Sequence, residues 1–181
     1  MKLRRFLAVS LAFVLLLSAF PLTALAAEAP ERLSGANRYL TAVAISQAGW
    51  DKASTVVLAR GDRYADAIAG VPLAYKLDAP ILLTNSDVLH EATVAELERL
   101  EARKVVILGG TAAVSQAVED YLKGLELEVE RVRGANRQGT AAEIASILAP
   151  NGVDTAVIAY SENFPDALAA ASYAAAAGYP I

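Results

Sequence analysis

The sequence predicts an α/β fold made of repeated Rossmann-like modules with mostly parallel sheets, the second module incomplete. Three observations predict it. The stretch Glu31-Arg32-Leu33-Ser34-Gly35-Ala36-Asn37-Arg38 returns ninety-nine positions later as Glu130-Arg131-Val132-Arg133-Gly134-Ala135-Asn136-Arg137. Short β-branched runs alternate with stretches whose apolar residues recur at helical spacing. The strand candidates are nearly all apolar, as expected for doubly wound sheets covered by helices on both faces.

Along the chain, Lys2, Arg4 and Arg5 precede an apolar run over residues 6–17, followed by Pro21 and the small-x-small pattern Ala24-Leu25-Ala26. This predicts a signal peptide over residues 1–26, cleaved before Ala27. The apolar run is shorter than the roughly 20 residues that a bilayer span needs. The chain contains no cysteine, which excludes a lipoprotein anchor, disulfides and thiolate metal sites. Removing the leader leaves thirteen basic against twenty acidic residues, a net charge of about −7. Such a balance argues against general nucleic-acid binding and against polybasic attachment to lipid, so an acidic partner would have to be held by local arginines.

The first module is expected over residues 27–125 and the second over 126–181. In the first, a loop closed by Gly35 and capped by Asn37 enters a helix at 39–48. Strands are expected at 55–59, 80–84 and 104–108, and helices at 64–77, 91–102 and 114–122. The second copy opens with a strand at 127–132, and Gly134 and Asn136 repeat the loop before a helix at 139–148. After a one-residue slip, Thr55, Ala59, Tyr64, Asp66 and Pro80-Ile81 are answered by Thr155, Ala159, Phe164, Asp166 and Pro180-Ile181. That correspondence predicts a strand at 155–159 and a helix at 165–177. The alanine-rich stretch there reads as a packed, high-propensity helix. With the later strands of its sheet lacking, the second module should show an exposed apolar edge.

Two readings attach to Arg38 and Arg137. A guanidinium fork pairs bidentately with phosphate or carboxylate, which suits an anionic sugar polymer. Alternatively, because an arginine at a helix start opposes the dipole, each pairs with an acid of its own or a neighbouring module. Asp66 and Asp166, one turn into the following helix, are the candidates for that acid. Neither aspartate has a consistent base, nucleophile or metal partner, so catalysis is not expected of them. Gly109-Gly110-Thr111 is either a crude anion-binding turn or plain backbone geometry. No dinucleotide or nucleoside triphosphate fingerprint is present. His90 is the only histidine, which removes multi-histidine zinc motifs and leaves a loop residue at a helix start.

Four blocks in fixed order then identify a resemblance: Arg32-Leu33-Ser34-Gly35-Ala36-Asn37-Arg38-Tyr39-x-Thr41-Ala42, Val57-Leu58-Ala59-Arg60-Gly61-Asp62 with Ala65-Asp66-Ala67, Ala79-Pro80-Ile81-Leu82-Leu83-Thr84, and Val106-Ile107-Leu108-Gly109-Gly110. Together they resemble the type 2 cell wall-binding repeat of surface proteins from clostridia, bacilli and their relatives. The resemblance implies Rossmann-like or Toprim-like modules without catalysis, metal or cofactor, usually three in tandem around a pseudo-threefold axis. It also implies secretion and S-layer-like, non-covalent anchoring at the Gram-positive cell surface. The implied partners are an anionic wall polysaccharide or teichoic-type polymer and the neighbouring repeats of the chain. On this reading Arg38, Arg137, Arg60 and Arg63 face the polymer, while Gly35, Asn37, Asp66, Gly134, Asn136 and Asp166 maintain the repeat. The second copy has Tyr160-Ser161-Glu162 in place of Arg60-Gly61-Asp62, so one positive charge is lost and binding should rely on several sites together. Two other readings compete: a Rossmann-like enzyme acting on wall glycans through Asp66 and the Gly109-Gly110 turn, and a self-associating structural module.

Overall fold

The computed structural model describes residues 32–181; the expected leader at 1–26 lies outside the described residues. Residues Leu33–Ile181 form one compact unit. Its centre is a four-stranded parallel sheet of β1 (Thr55–Arg60), β2 (Ile81–Thr84), β3 (Lys104–Leu108) and β4 (Glu128–Val132), in the order β2-β1-β3-β4. Val57 lies opposite Ile81 and Val106, and Lys104 lies opposite both Thr55 and Glu128. The chain winds outward from β1 to β2, then crosses back to build β3 and β4 on the other side. The topological switch therefore falls between β1 and β3, where α/β sheets usually open a crevice.

Residue alternation explains the layers. In β1, Val56 and Leu58 point to one face, where they join Leu82, Leu97, Leu100, Val105, Ile107, Val118 and Leu122 in a buried cluster. This face is covered by α4 (Glu91–Arg99) and α5 (Gln116–Gly124). Val57 points the other way and packs with Leu73, Val106, Leu108, Val132 and Ile144. That second face is covered by α2 (Ala65–Ala69), α3 (Val71–Lys76) and α6 (Arg137–Leu148). Helix α1 (Arg38–Gly49) packs on β2 and α4, and α7 (Pro165–Ala177) packs on α3. The edge strand β4 carries Glu128 and Glu130, which pair with Lys104 at 3.1 and 2.7 Å. Charges on an exposed edge discourage pairing with another chain.

Helix boundaries follow local chemistry. Asn37 and Asn136 cap α1 and α6 by accepting from the Leu40 and Gly139 amides at 3.0 and 2.8 Å, as expected of an N-cap. Ser115 caps α5 through its hydroxyl, and His90 caps α4 through Nδ1. At the other ends, Asp78, Glu101 and Glu126 adopt φ of 48°, 53° and 63°. The amides of Ala79, Ala102 and Leu127 then reach back to the carbonyls of Ala74, Leu97 and Leu122, closing all three helices with the same left-handed turn.

Two expectations require correction. The helix expected at 64–77 is two short helices meeting at Gly70, whose Cα lies so close to the Leu108 side chain that a Cβ would collide with it. The strand expected at 155–159 forms no ladder among the described residues. It makes the Val157 N–H to Pro180 carbonyl bond at 2.9 Å that matches Val57 to Pro80 in the first copy at 3.0 Å. Among the described residues no strand flanks it, and Ile158 is 96 % exposed where its counterpart Leu58 is fully buried. A third feature was not anticipated: β4 and α6, read from sequence as the start of the second copy, complete the sheet and core of the first.

Candidate functional site

The repeated loop Arg-x-x-Gly-Ala-Asn-Arg adopts the same structure twice. A Cβ on Gly35 would strike Leu40, and one on Gly134 would strike Gly139, so each glycine lets the loop lie against the first turn of its helix. The Gly35 and Gly134 amides donate to the hydroxyls of Thr41 and Thr140 at 3.0 and 3.2 Å. This arrangement aims the arginine at helix position one toward the loop after β1 in the first copy and toward the equivalent loop at Ser161 in the second. Arg38 Nη1 donates to the Gly61 carbonyl at 2.9 Å, and Arg137 Nη1 donates to the Ser161 carbonyl at 2.8 Å. Gly61 and Ser161 are repeat counterparts.

The structure thus brings Arg38, Arg60 and Arg63 together around the loop after β1. Arg60 pairs with Asp62 and donates to the Ala112 carbonyl at 3.1 Å, bridging the loops that follow β1 and β3. The Asp62 partner raises the Arg60 pKa, and the Arg60 hydrogen bond lowers that of Asp62. Arg38 spends one donor on a carbonyl and is otherwise exposed. Arg63 is exposed and makes no hydrogen bond among the described residues. Tyr39 holds the loop: its ring lies against Gly61, stacks on His90 with centroids 4.2 Å apart, and its hydroxyl donates to Asn85 Oδ1 at 2.7 Å.

Arg137 is placed differently. It lines a cleft of about 250 Å³ between the two copies with Tyr64, Gln138, Tyr160, Ser161 and Asn163. Glu162 lies 3.4 Å from its guanidinium, and the repeat counterparts Tyr64 and Phe164 meet with ring centroids 5.5 Å apart. Asp66 enters the same junction from the first copy. Its carboxylate occupies the space that a side chain at Gly109 (φ 93°) would need. Burial raises the Asp66 pKa, with the Arg137 charge and the Thr140 hydroxyl pulling against it. Asp166 is exposed and has no such setting.

Of the sequence-predicted residues, Gly35, Asn37, Gly134 and Asn136 thus build the loop, and the two arginines find carbonyl partners first. The aspartates expected to pair with the arginines form no ion pair with them among the described residues; Asp66 only feels the charge of Arg137 from the other copy. The Gly109-Gly110 turn is filled by that carboxylate. Thr41, Thr140 and Arg131 recur in the repeat but were assigned no role from the sequence. Recurrence of the threonine at the same offset was the available signal. Arg131 donates to Glu119 at 2.9 Å and to the Gly109 carbonyl at 3.0 Å, which fastens β4 to the turn. Among the described residues, no three histidine, aspartate or glutamate side chains gather in a metal-binding group. No described helix is long and apolar enough to cross a membrane.

Comparison with known proteins agrees with this two-copy geometry. The sequence profile of Cell wall binding domain 2 (CWB2) matches residues 32–119 and 131–181. N-acetylmuramoyl-L-alanine amidase LytC of Bacillus subtilis (strain 168) is 43 % identical over 159 residues, covering 88 % of this chain and 32 % of the amidase. The Amidase enhancer of the same organism is 38 % identical over 151 residues, covering 83 % of this chain and 21 % of that protein. Among solved structures, Cwp6 from Clostridium difficile superposes with a TM-score of 0.78 at 39 % identity, over 82 % of this chain and 24 % of that one. Cwp8 from the same organism gives 0.77 at 36 % identity, over 82 % and 26 %. The chain therefore spans about a third or less of the length of these relatives, within a segment they share. Two tandem copies of one loop-and-arginine motif on a parallel α/β sheet, matched by profile, by sequence and by fold, place the chain in the cell wall binding domain 2 family.

Proposed function

We propose that this chain anchors an exported protein to the cell wall by non-covalent attachment to an anionic wall polymer, a polysaccharide or a teichoic-type chain, without catalysis of its own. The observation that carries the reading is the repeated placement of the motif arginine on the backbone carbonyl of repeat-equivalent loop residues, Arg38 on Gly61 and Arg137 on Ser161, in a chain of this family. Guanidinium groups with unspent donors suit phosphate or carboxylate on a sugar chain. Arg38 and Arg63 offer such donors, Arg60 contributes charge while held by Asp62, and Arg137 lines the cleft between copies. Export is supported by the basic residues, apolar run and small-x-small site at the start of the sequence. Contact with neighbouring repeats is supported by the way α6 packs on the first copy's sheet.

A binding role fits the chemistry better than an enzymatic one. Asp66, the one candidate acid of a catalytic reading, faces an arginine, a threonine and a glycine backbone, with neither nucleophile nor metal ligand beside it. The test is co-sedimentation of the chain with isolated Gram-positive walls before and after chemical removal of the anionic polymers. Binding lost with the polymers, and weakened by added salt, supports the proposal. Equal binding to both preparations would sink the polymer claim.

A further inference from the structure

The repeat supplies its own control: the loop after β1 and its equivalent in the second copy each hold a motif arginine and an acid, and pair them differently. In the first copy Asp62 belongs to Arg60. The guanidinium fork takes both carboxylate oxygens, Nε on Oδ1 and Nη2 on Oδ2, the latter at 2.8 Å, and also donates to the Ala112 carbonyl at 3.1 Å. Arg38 donates to the neighbouring backbone carbonyl, that of Gly61, at 2.9 Å. It is exposed and makes no ion pair among the described residues.

In the second copy Tyr160 stands where the first has Arg60. With no arginine at that position to take it, Glu162 turns to the motif arginine. Its Oε2 lies 3.4 Å from Arg137 Nη1, the same nitrogen that donates to the Ser161 carbonyl at 2.8 Å. Gln138 and Ser161 steady the acid: Gln138 Nε2 donates to Ser161 Oγ at 2.7 Å, and that hydroxyl donates to Glu162 Oε1 at 3.1 Å. The charge balance of the two loops differs accordingly. Arg38, Arg60 and Arg63 stand against Asp62 in the first, whereas Arg137 alone stands against Glu162 in the second, where Asn163 replaces Arg63.

We infer that Arg60 is a positioning residue that holds Asp62 away from Arg38, so that the chain presents an uncommitted motif guanidinium on the first copy alone, while Arg137 is neutralised within the second. A carboxylate gripped at both oxygens by a planar fork has little left for a second guanidinium. An approaching anion therefore meets open donors at Arg38 and Arg63 and an arginine already paired at Arg137. The consequence for wall attachment rests on the binding role proposed above; the pairing of the charges does not.

The experiment is modification of the full chain by phenylglyoxal, which reacts with accessible, unpaired guanidinium groups, followed site by site by mass spectrometry. Arg38 should react severalfold faster than Arg137. Because Arg38 is also the more exposed of the two, variants decide the matter. E162Q should raise the Arg137 rate severalfold, and so should Y160R, which returns an arginine to a position that is 66 % exposed. In Y160R/E162Q the two gains should not add, since both changes remove the same acid from Arg137. In the first copy R60Y should slow Arg38 severalfold and R60Y/D62N should restore it, a rescue that a role confined to bridging Ala112 would not allow. An Arg38 rate indifferent to R60Y, an Arg137 rate indifferent to Y160R, or fully additive gains in the double variant would overturn the inference. Co-sedimentation with polymer-bearing walls reads the consequence: binding should fall in R60Y, recover in R60Y/D62N and rise in Y160R. Reaction rates that move as expected while wall binding stays level would support the charge assignment and sink the polymer reading.

Discussion

Replacing Glu96 with alanine tests the anchoring of α1. The Glu96 side chain is 1 % exposed and holds three groups. Ser46 Oγ donates to it at 2.5 Å, Gln47 Nε2 at 3.3 Å, and Arg99 through Nε and Nη2 at 2.9 and 2.8 Å. Arg99 in turn donates to the carbonyls of Trp50 and Asp51, so a single carboxylate ties α4 to the last turn of α1. Removing one partner of a buried ion pair costs about 3–5 kcal/mol. Arg99 is 34 % exposed and water can resolvate it, which puts the expected loss at the low end, about 3 kcal/mol. For a domain of this size that is a fall in Tm of about 6–12 °C. Burial pushes the Glu96 pKa up, but the bonds from Arg99, Ser46 and Gln47 outweigh it and hold the carboxyl below the usual glutamate range. Its contribution is therefore present above the ordinary value of about 4.3 and is lost as pH falls through the lowered one. Urea unfolding of wild type and Glu96→Ala at neutral and acidic pH should show a difference that shrinks on acidification. A neutral-pH difference under about 0.5 kcal/mol, typical of surface sites, would refute the reasoning.

Other substitutions probe the remaining features. Gly109→Ala places a side chain in a left-handed conformation where the Asp66 carboxylate sits, and should cost about 1–3 kcal/mol in urea unfolding before the collision is counted; a neutral effect would remove Gly109 as the cradle. Glu101→Gly and Glu126→Gly relieve left-handed backbone at helix ends and should each raise stability by about 0.5–1 kcal/mol. Asp78→Gly should gain less, because aspartate tolerates that conformation better. His90→Ala removes the α4 cap and should lower stability by about 1 kcal/mol, with His90→Asp restoring it. In wall co-sedimentation, Arg63→Ala should weaken binding without moving Tm, whereas a loss that tracks Tm would make Arg63 structural.

Much of the fold was legible because its determinants are local. The β-branched runs at Val56-Val57 and Val105-Val106 mark central strands, and Asn37 and Asn136 announce helix starts by side-chain chemistry alone. The split of α2 from α3 was written in Gly70 and Pro72. It was missed because the decisive contact, with Leu108, comes from a strand almost forty residues away. The expected strand at 155–159 has the right side chains and lacks only neighbours, which no local pattern can supply. At the candidate site the difficulty is different. Arg38 and Arg137 bind backbone carbonyls, and a carbonyl acceptor has no sequence signature. Asp66 forms no ion pair with an arginine among the described residues, and the charge that acts on it, Arg137, comes from the other copy, a relation that the repeat comparison disguises by aligning Asp66 with Asp166 instead.

The strand β4 and helix α6 begin the second copy in sequence yet finish the first copy in space. A ribosome that has released residue 125 has therefore not released a foldable sheet: β3 still has a bare edge, and Val57, Leu73 and Leu108 lack the cover of Ile144. The first layer can close only once the chain has emerged through Leu148, so synthesis of the second copy completes the first. For gene duplication the consequence is favourable. A copy gained or lost in this register brings or removes a finishing strand together with a sheet that needs one, so the hand-over seen between these two copies is preserved.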